Sequence, residues 1–281
     1  MSNQLCLGPE EFAREMRVLD PRFDAKVNFE MFLEQSYCLV AMQASQGEER
    51  KQVLHDRHTR AMGRYGERKG IVADRFVDLF TQMSRSIARS QEDFLGLVFT
   101  LLGFGNRATE SGDVQALAEA LSCAQKLNER LLLVQPNCGS GVVAMYGARV
   151  IRSMGHDFEK CLMVIATESD KRCFQMTCIQ LALMEVPAVV IHGDVAKRTE
   201  LDRLVNCAAQ RQCARIGGAS AGVLAVDLEQ VATLIAQAQQ GVVARSGTVV
   251  SAGETGTSAA ESSSAERGLE LGGDAKGVFH L

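Results

Sequence analysis

Proline is scarce: the 281 residues hold four, at positions 9, 21, 136 and 187, so no motif built on adjacent prolines is present. No apolar run approaches the roughly 20 residues a membrane-spanning helix needs, which excludes such a helix. The opening MSNQLCLGPEEF lacks a basic stretch followed by an apolar segment and a small-residue cleavage site. A cytoplasmic protein that is not exported is therefore expected. No C-x-x-C pair occurs among the nine cysteines, which are odd in number, scattered and set in apolar segments such as CLMVIA and TCIQLAL. They read as reduced core thiols and not as a disulfide framework. His55-x-x-His58 lies in a charged helical stretch and reads as surface helix, so no metal site is expected. A net charge of −4 and a pI near 5.8 exclude a wholesale polyanion binder. Between Arg50 and Arg89 basic residues outnumber acids, which reads either as one weakly basic face or, the favoured reading, as a solvated helix surface balanced by Glu67, Asp74 and Asp78.

What is present suffices for a folded chain, since 46% of residues are apolar and the mean hydropathy is −0.01. The length allows one α/β domain with a helical extension, or two small domains. From Val27 to about Arg89 the apolar spacing is helical: Phe29, Phe32, Leu33, Leu39 and Val40 form one stripe and Phe76, Phe80, Met83 and Ile87 another. Glycines at 63, 66 and 70 break the stretch, and Ser90-Gln91-Glu92-Asp93 reads as a capping box opening FLGLVFTLL. After residue 128 short apolar β-type runs alternate with helical segments, as in a parallel sheet built from βαβ units. Strands are expected at Leu131 to Gln135, Leu162 to Thr167, Ala188 to His192 and Val223 to Val226, with helices near 142–154, 171–185, 197–213 and 228–239. From Arg245 to Gly273 few large apolar residues occur, too few to offset ordering entropy, so 245–281 is expected to be a mostly disordered tail. The expected organisation is a helical domain over 1–127, an α/β domain over 128–244, and that tail.

The segment LLLVQ-Pro136-Asn137-Cys138-Gly139-Ser140-Gly141-VVAMYGARVI sets a glycine turn between a strand and an amphipathic helix. Such a turn lets backbone approach a ligand, and the helix start offers unpaired N–H groups to an anion. Glu168 follows 27 residues beyond Gly141, at the tip of the second strand, where an acid can accept both hydroxyls of a ribose. The third strand ends in His192-Gly193-Asp194, an acid placed to face an adenine amino group. Three polar strand ends in succession define one crevice at the carboxyl edge of a sheet.

P-x-C-G-S-G after a strand resembles the cofactor loop of adenine-specific DNA methyltransferases of the restriction-modification type, in which an acid and Pro precede Gly-Ser-Gly. The stretch from Thr167 to Asp194 is similar to that family's acid, helix and Gly-Asp order. The helices before the loop resemble the helical region of small phage- and plasmid-type members, so the likeness covers roughly residues 27–195. It implies a Rossmann-like class I methyltransferase core with an N-terminal helical domain. It further implies S-adenosyl-L-methionine as cofactor, held by Gln135, Pro136, Asn137, Cys138, Gly139, Ser140, Gly141, Glu168 and Asp194. DNA, or a restriction or methylation complex, is the implied partner, with no membrane.

Four departures qualify that likeness. The family's catalytic (Asp/Asn/Ser)-Pro-Pro-aromatic motif holds and stacks the flipped base, and it has no counterpart here. Asp227-Leu228-Glu229-Gln230 stands in its place; Asp227 is the one candidate catalytic group, and as bare sequence the segment reads as a helix cap. Gln135 replaces the acid that would pair with the cofactor's ammonium, removing charge assistance. The upstream Thr-Pro turn is shortened to Glu110-Ser111-Gly112-Asp113, and too little chain follows for a complete seven-stranded sheet. The expectation is a cofactor-binding chain impaired in catalysis, or a non-enzymatic methyltransferase-like protein. A nucleotide-binding oxidoreductase fits less well because G-S-G-V-V lacks the third glycine of G-x-G-x-x-G. A purely structural reading takes the glycines as a tight turn and Glu168 and Asp194 as solvated strand ends.

Overall fold

A computed structural model describes residues 7–105, 131–216, 221–239, 250–254 and 274–280. The N-terminal part is helical: α1 (Pro9–Val18), α2 (Ala25–Ala44), α3 (Glu48–Gly63), α4 (Lys69–Ser90) and α5 (Phe94–Leu101). Gly63, Gly66 and Gly70 fall at the end of α3, in a short 3-10 turn and at the start of α4, so the glycines separate two helices as expected. The start of α5 differs from expectation. Asp93, not Ser90, is its cap, accepting from the Gly96 N–H, while Ser90 is the last residue of α4 and Gln91 closes that helix at φ 55°.

The second part alternates strands and helices: β1 (Leu131–Gln135), α6 (Val142–Ser153), α7 (Phe158–Cys161), β2 (Leu162–Glu168), α8 (Lys171–Leu183) and β3 (Ala188–Asp194). These three strands pair in parallel in the order β3-β2-β1. They are buried on both faces at nearly every position, as strands covered by helices on each side must be. Then comes β4 (Thr199–Val205), antiparallel to β3, in a segment expected to be helical. It is followed by α9 (Cys207–Ile216), the single turn α10 (Ala221–Leu224) and α11 (Leu228–Gln239). The strand expected over Val223 to Val226 is thus replaced by helix over 221–224. A run of four apolar residues does not distinguish the two states by itself.

Two short strands, β5 (Val250–Glu254) and β6 (Asp274–His280), pair with each other, and β6 pairs antiparallel with β1, giving the order β4-β3-β2-β1-β6-β5. The disordered tail expected over 245–281 is corrected at these two segments: partners supplied by β1 allow backbone pairing where the local apolar content is low. The rest of that expectation lies outside the described residues.

The sheet has two cores. Leu131, Leu133, Val164 and Val190 face α6, α8 and the N-terminal helices, while Leu132, Val134, Ile165 and Ile191 face α9 and α11. The first core runs without a break from Phe12 to Leu204, across the boundary expected at 127/128, so the helical region shares its interior with the sheet. Helix α8 lies at the centre of this arrangement. It is buried over nine consecutive residues, Cys173 to Leu181, and three of them are polar with partners on neighbouring elements. Gln175 donates to Glu34 at 2.7 Å, Thr177 to the Gly139 carbonyl at 2.8 Å, and Gln180 to Asp93 at 2.9 Å.

Candidate functional site

The strand order places the carboxyl end of β1 beside the point where a parallel half-sheet stops, the position at which open α/β sheets bind ligands. The glycine turn lies there. Gly139 has φ 58° and Gly141 φ 91°, values that side-chain-bearing residues adopt at a cost. A Cβ on Gly141 would also stand 3.1 Å from Thr177 Cγ2, so the turn is pressed against α8. Pro136 and Cys138 are tied to β2: Thr167 Oγ1 donates to the Pro136 carbonyl at 2.5 Å, and the Cys138 N–H donates to the Thr167 carbonyl at 3.0 Å. The buried Cys138 thiol sits 3.4 Å from Thr177 Oγ1. Asn137, between them, is exposed.

Ser140 joins the turn to the helical region. Its hydroxyl donates to Asp93 Oδ2 at 2.5 Å, and Gln180 bridges Asp93 Oδ1 and the Ser140 carbonyl at 2.9 Å each. The N–H of Leu95 completes the set by donating to Gln180 Oε1. Asp93 is therefore at once a helix cap and the anchor of the glycine turn. The SQED stretch carries this residue, but its sequence pattern signals only the cap; the second partner lies 47 residues away.

Glu168 lies where the sequence places it, at the tip of β2, and is buried at 3% exposure. Its two oxygens accept from the Gly139 and Asp170 N–H groups, both at 2.9 Å. The acid thus holds the glycine turn to β2. Asp194 is oriented differently. Its carboxylate caps the turn into β4 by accepting from the Ala196 and Lys197 N–H groups, and it pairs with the Lys197 ammonium at 3.0 Å. The Lys197 hydrogen bond holds its carboxyl below the usual carboxylate range. Gly193 serves the same hairpin, because a Cβ there would come within 2.2 Å of the Thr199 carbonyl, at a shift of register between β3 and β4. The His-Gly-Asp end of β3 is shaped by β4, an element the sequence pattern concealed.

Several described side chains bury one polar atom without a partner, and Gln135 buries two. Its side chain is fully buried, on the face of β1 shared with Leu131 and Leu133, and neither Oε1 nor Nε2 has a hydrogen-bond partner among the described residues. A buried amide in this condition costs about 1–3 kcal/mol, and such groups in folded chains are rare without a ligand or ordered water.

Asp227 caps α11. Its Oδ1 accepts from the Gln230 N–H at 2.8 Å while Gln230 Oε1 accepts from the Asp227 N–H at 3.0 Å, the reciprocal capping arrangement. It is exposed, and no described aromatic residue follows it. Among the described residues no cluster of His, Cys, Asp and Glu is suited to a metal, and no helix is long and apolar enough to cross a membrane.

No protein-family model matches the chain, and no curated protein matches it closely enough to count as a relative. Among solved structures, a protein from Listeria monocytogenes assigned to the class I S-adenosylmethionine-dependent methyltransferases is similar over 66% of this chain and 54% of that one. The two share 14% identity with a TM-score of 0.33, so the match spans about half of that protein and leaves function to be argued from the site itself.

Proposed function

We propose that the chain binds S-adenosylmethionine at the carboxyl end of β1 and does not by itself methylate DNA adenine. The observation that carries this reading is Gln135: a fully buried amide without a partner among the described residues, next to the turn that resembles a methyltransferase cofactor loop. An amide presents both donors and acceptors, so Gln135 suits the charged amino-acid end of the cofactor. The backbone of Gly139, Ser140 and Gly141 would lie against the same ligand, and Glu168, already oriented by Gly139 and Asp170, would take the ribose hydroxyls. Asp194, whose carboxylate caps the β3–β4 turn, is left out of this reading. When bound, the cofactor supplies an electrophilic methyl group. To use it on an adenine amino group a protein must stack the flipped base and accept its protons, and Asp227 is engaged in a helix cap.

Calorimetry with S-adenosylmethionine and S-adenosylhomocysteine tests the reading. Heat of binding in the native protein, lost in Gln135→Leu, supports it; no heat at millimolar ligand overturns it. A second reading, in which the glycine turn is purely structural, is favoured by the engagement of Glu168 with Gly139. It predicts that neither compound binds.

A further inference from the structure

A cleft of about 830 Å³ opens between α2, α3 and the start of α8, on the same sheet edge as the glycine turn. Its floor is ion-paired. Glu34 accepts from Lys171 at 2.7 Å and from Arg57 at 2.9 Å, and Arg172 is held by Asp170 at 2.8 Å and Glu30 at 3.3 Å. The α3 wall is not. Arg60 and Arg64 line the cleft, both exposed, and neither has an ion-pair partner among the described residues. Arg57 and Arg60 on α3 and Arg64 at its C-terminal cap follow one another at three and four residues, a spacing at which like charges repel.

We infer that this cleft takes a ligand carrying two or more neighbouring phosphate groups, as an oligophosphate or a single nucleic-acid strand presents. Two guanidiniums one helical turn apart match two adjacent anions, and each planar fork can hold a phosphate by two parallel hydrogen bonds. A single carboxylate would satisfy one arginine and leave the other unpaired. The paired floor keeps Lys171 and Arg172 in place without adding net charge, so the selectivity falls to Arg60 and Arg64. The chain's overall charge of −4 supplies no general attraction for polyanions. The inference rests on Arg60 and Arg64 and not on the cofactor reading, although Asp170, which holds Arg172, also donates its N–H to Glu168.

The test is titration of the full chain with sodium tripolyphosphate and, separately, with a single-stranded oligothymidylate, each at two salt concentrations. Arg60→Gln/Arg64→Gln is compared with Arg17→Gln/Arg149→Gln, exposed positions on α1 and α6 outside the cleft. Binding of either probe that weakens about tenfold in the cleft variant and not in the control supports the inference, with the salt slope for the oligonucleotide lower by about 1.4. Binding of tripolyphosphate alone identifies a small ligand as the source, and binding of both identifies the phosphate chain as the shared feature. Absence of binding by both probes, or equal loss in the two variants, overturns it. Circular dichroism of each variant confirms that the fold is retained.

Discussion

The N–H of Gly139 donates to Glu168 Oε2 at 2.9 Å, joining the tip of β2 to the turn that follows β1. A side chain whose sequence position marks it as a ligand contact is thus also a structural tie. Glu168→Gln keeps the volume but sets an amide against two N–H donors. It is expected to cost about 1.5–3 kcal/mol, the range for hydrogen bonds to a charged group. Urea unfolding measures the loss, and faster hydrogen exchange at the Gly139 amide locates it. Unaltered stability and exchange would show that the turn holds without Glu168.

Gln135→Leu is expected to act in the opposite direction on the ligand-free protein. Replacing an unsatisfied buried amide by an apolar group of similar size removes a desolvation penalty, so stability should rise by about 1–2 kcal/mol. The same substitution should abolish the thermal shift produced by S-adenosylmethionine. A destabilised variant would mean that Gln135 has a partner in solution.

Asp202 and Glu34 give the protein an acid-sensitive joint. Asp202 on β4 accepts from Arg57 at 2.9 Å, from Tyr37 at 2.9 Å and from Arg50, while Glu34 accepts from Arg57 and Lys171. Burial alone would raise both carboxyls, but their cationic partners hold both below the ordinary range. A depressed folded-state value gives stability that is complete above the unfolded values of about 3.9 for Asp and 4.3 for Glu, and is lost as pH falls through the folded ones. Unfolding free energy should therefore fall on acidification below about pH 4.3. Asp202→Asn should cost about 2–3 kcal/mol at neutral pH and flatten that fall. Because Arg50 is 40% exposed, its share is reduced by solvent screening. An unaltered acid profile in the variant would place the sensitivity elsewhere.

Asp227→Ala is expected to cost about 1 kcal/mol through loss of the α11 cap. Tritium transfer from labelled S-adenosylmethionine into unmethylated DNA should stay at background in the native chain and in this variant. Incorporation that disappears with Asp227 would make it the catalytic residue.

The legible parts of the fold were those with strong local signals. LLLVQ, LMVIATE and AVVIHGD read as strands because continuous apolar runs are what a sheet covered on both faces requires. The turn at Gly139 and Gly141 was legible from composition, and its positive φ values explain the residue choice. β4 was not: TELDRLV is mostly polar because it forms the edge, and in sequence it continues smoothly into the helical segment after Asn206. Missing β4 also hid the use made of Gly193 and Asp194. The joint around Asp202 lay beyond any local pattern, since its partners stand 145 to 165 residues upstream. Gln135 was visible as a departure from a motif, but its burial without a partner needed the packed face of β1.

The position of β4 bears on solubility. It ends the strand order on one side and presents an outer row of backbone groups to which another extended chain could add. Asp202 turns inward from that strand to meet arginines of α3, and Arg203 is held by Glu200 at 2.7 Å. A charge tethered to the helical layer keeps this margin from lying flat against a neighbour, which is how soluble sheets resist edge-to-edge stacking. Neutralising Asp202 would therefore do more than loosen a joint: it would remove the inward-turned charge that guards this border strand, while its pairing with β3 stays.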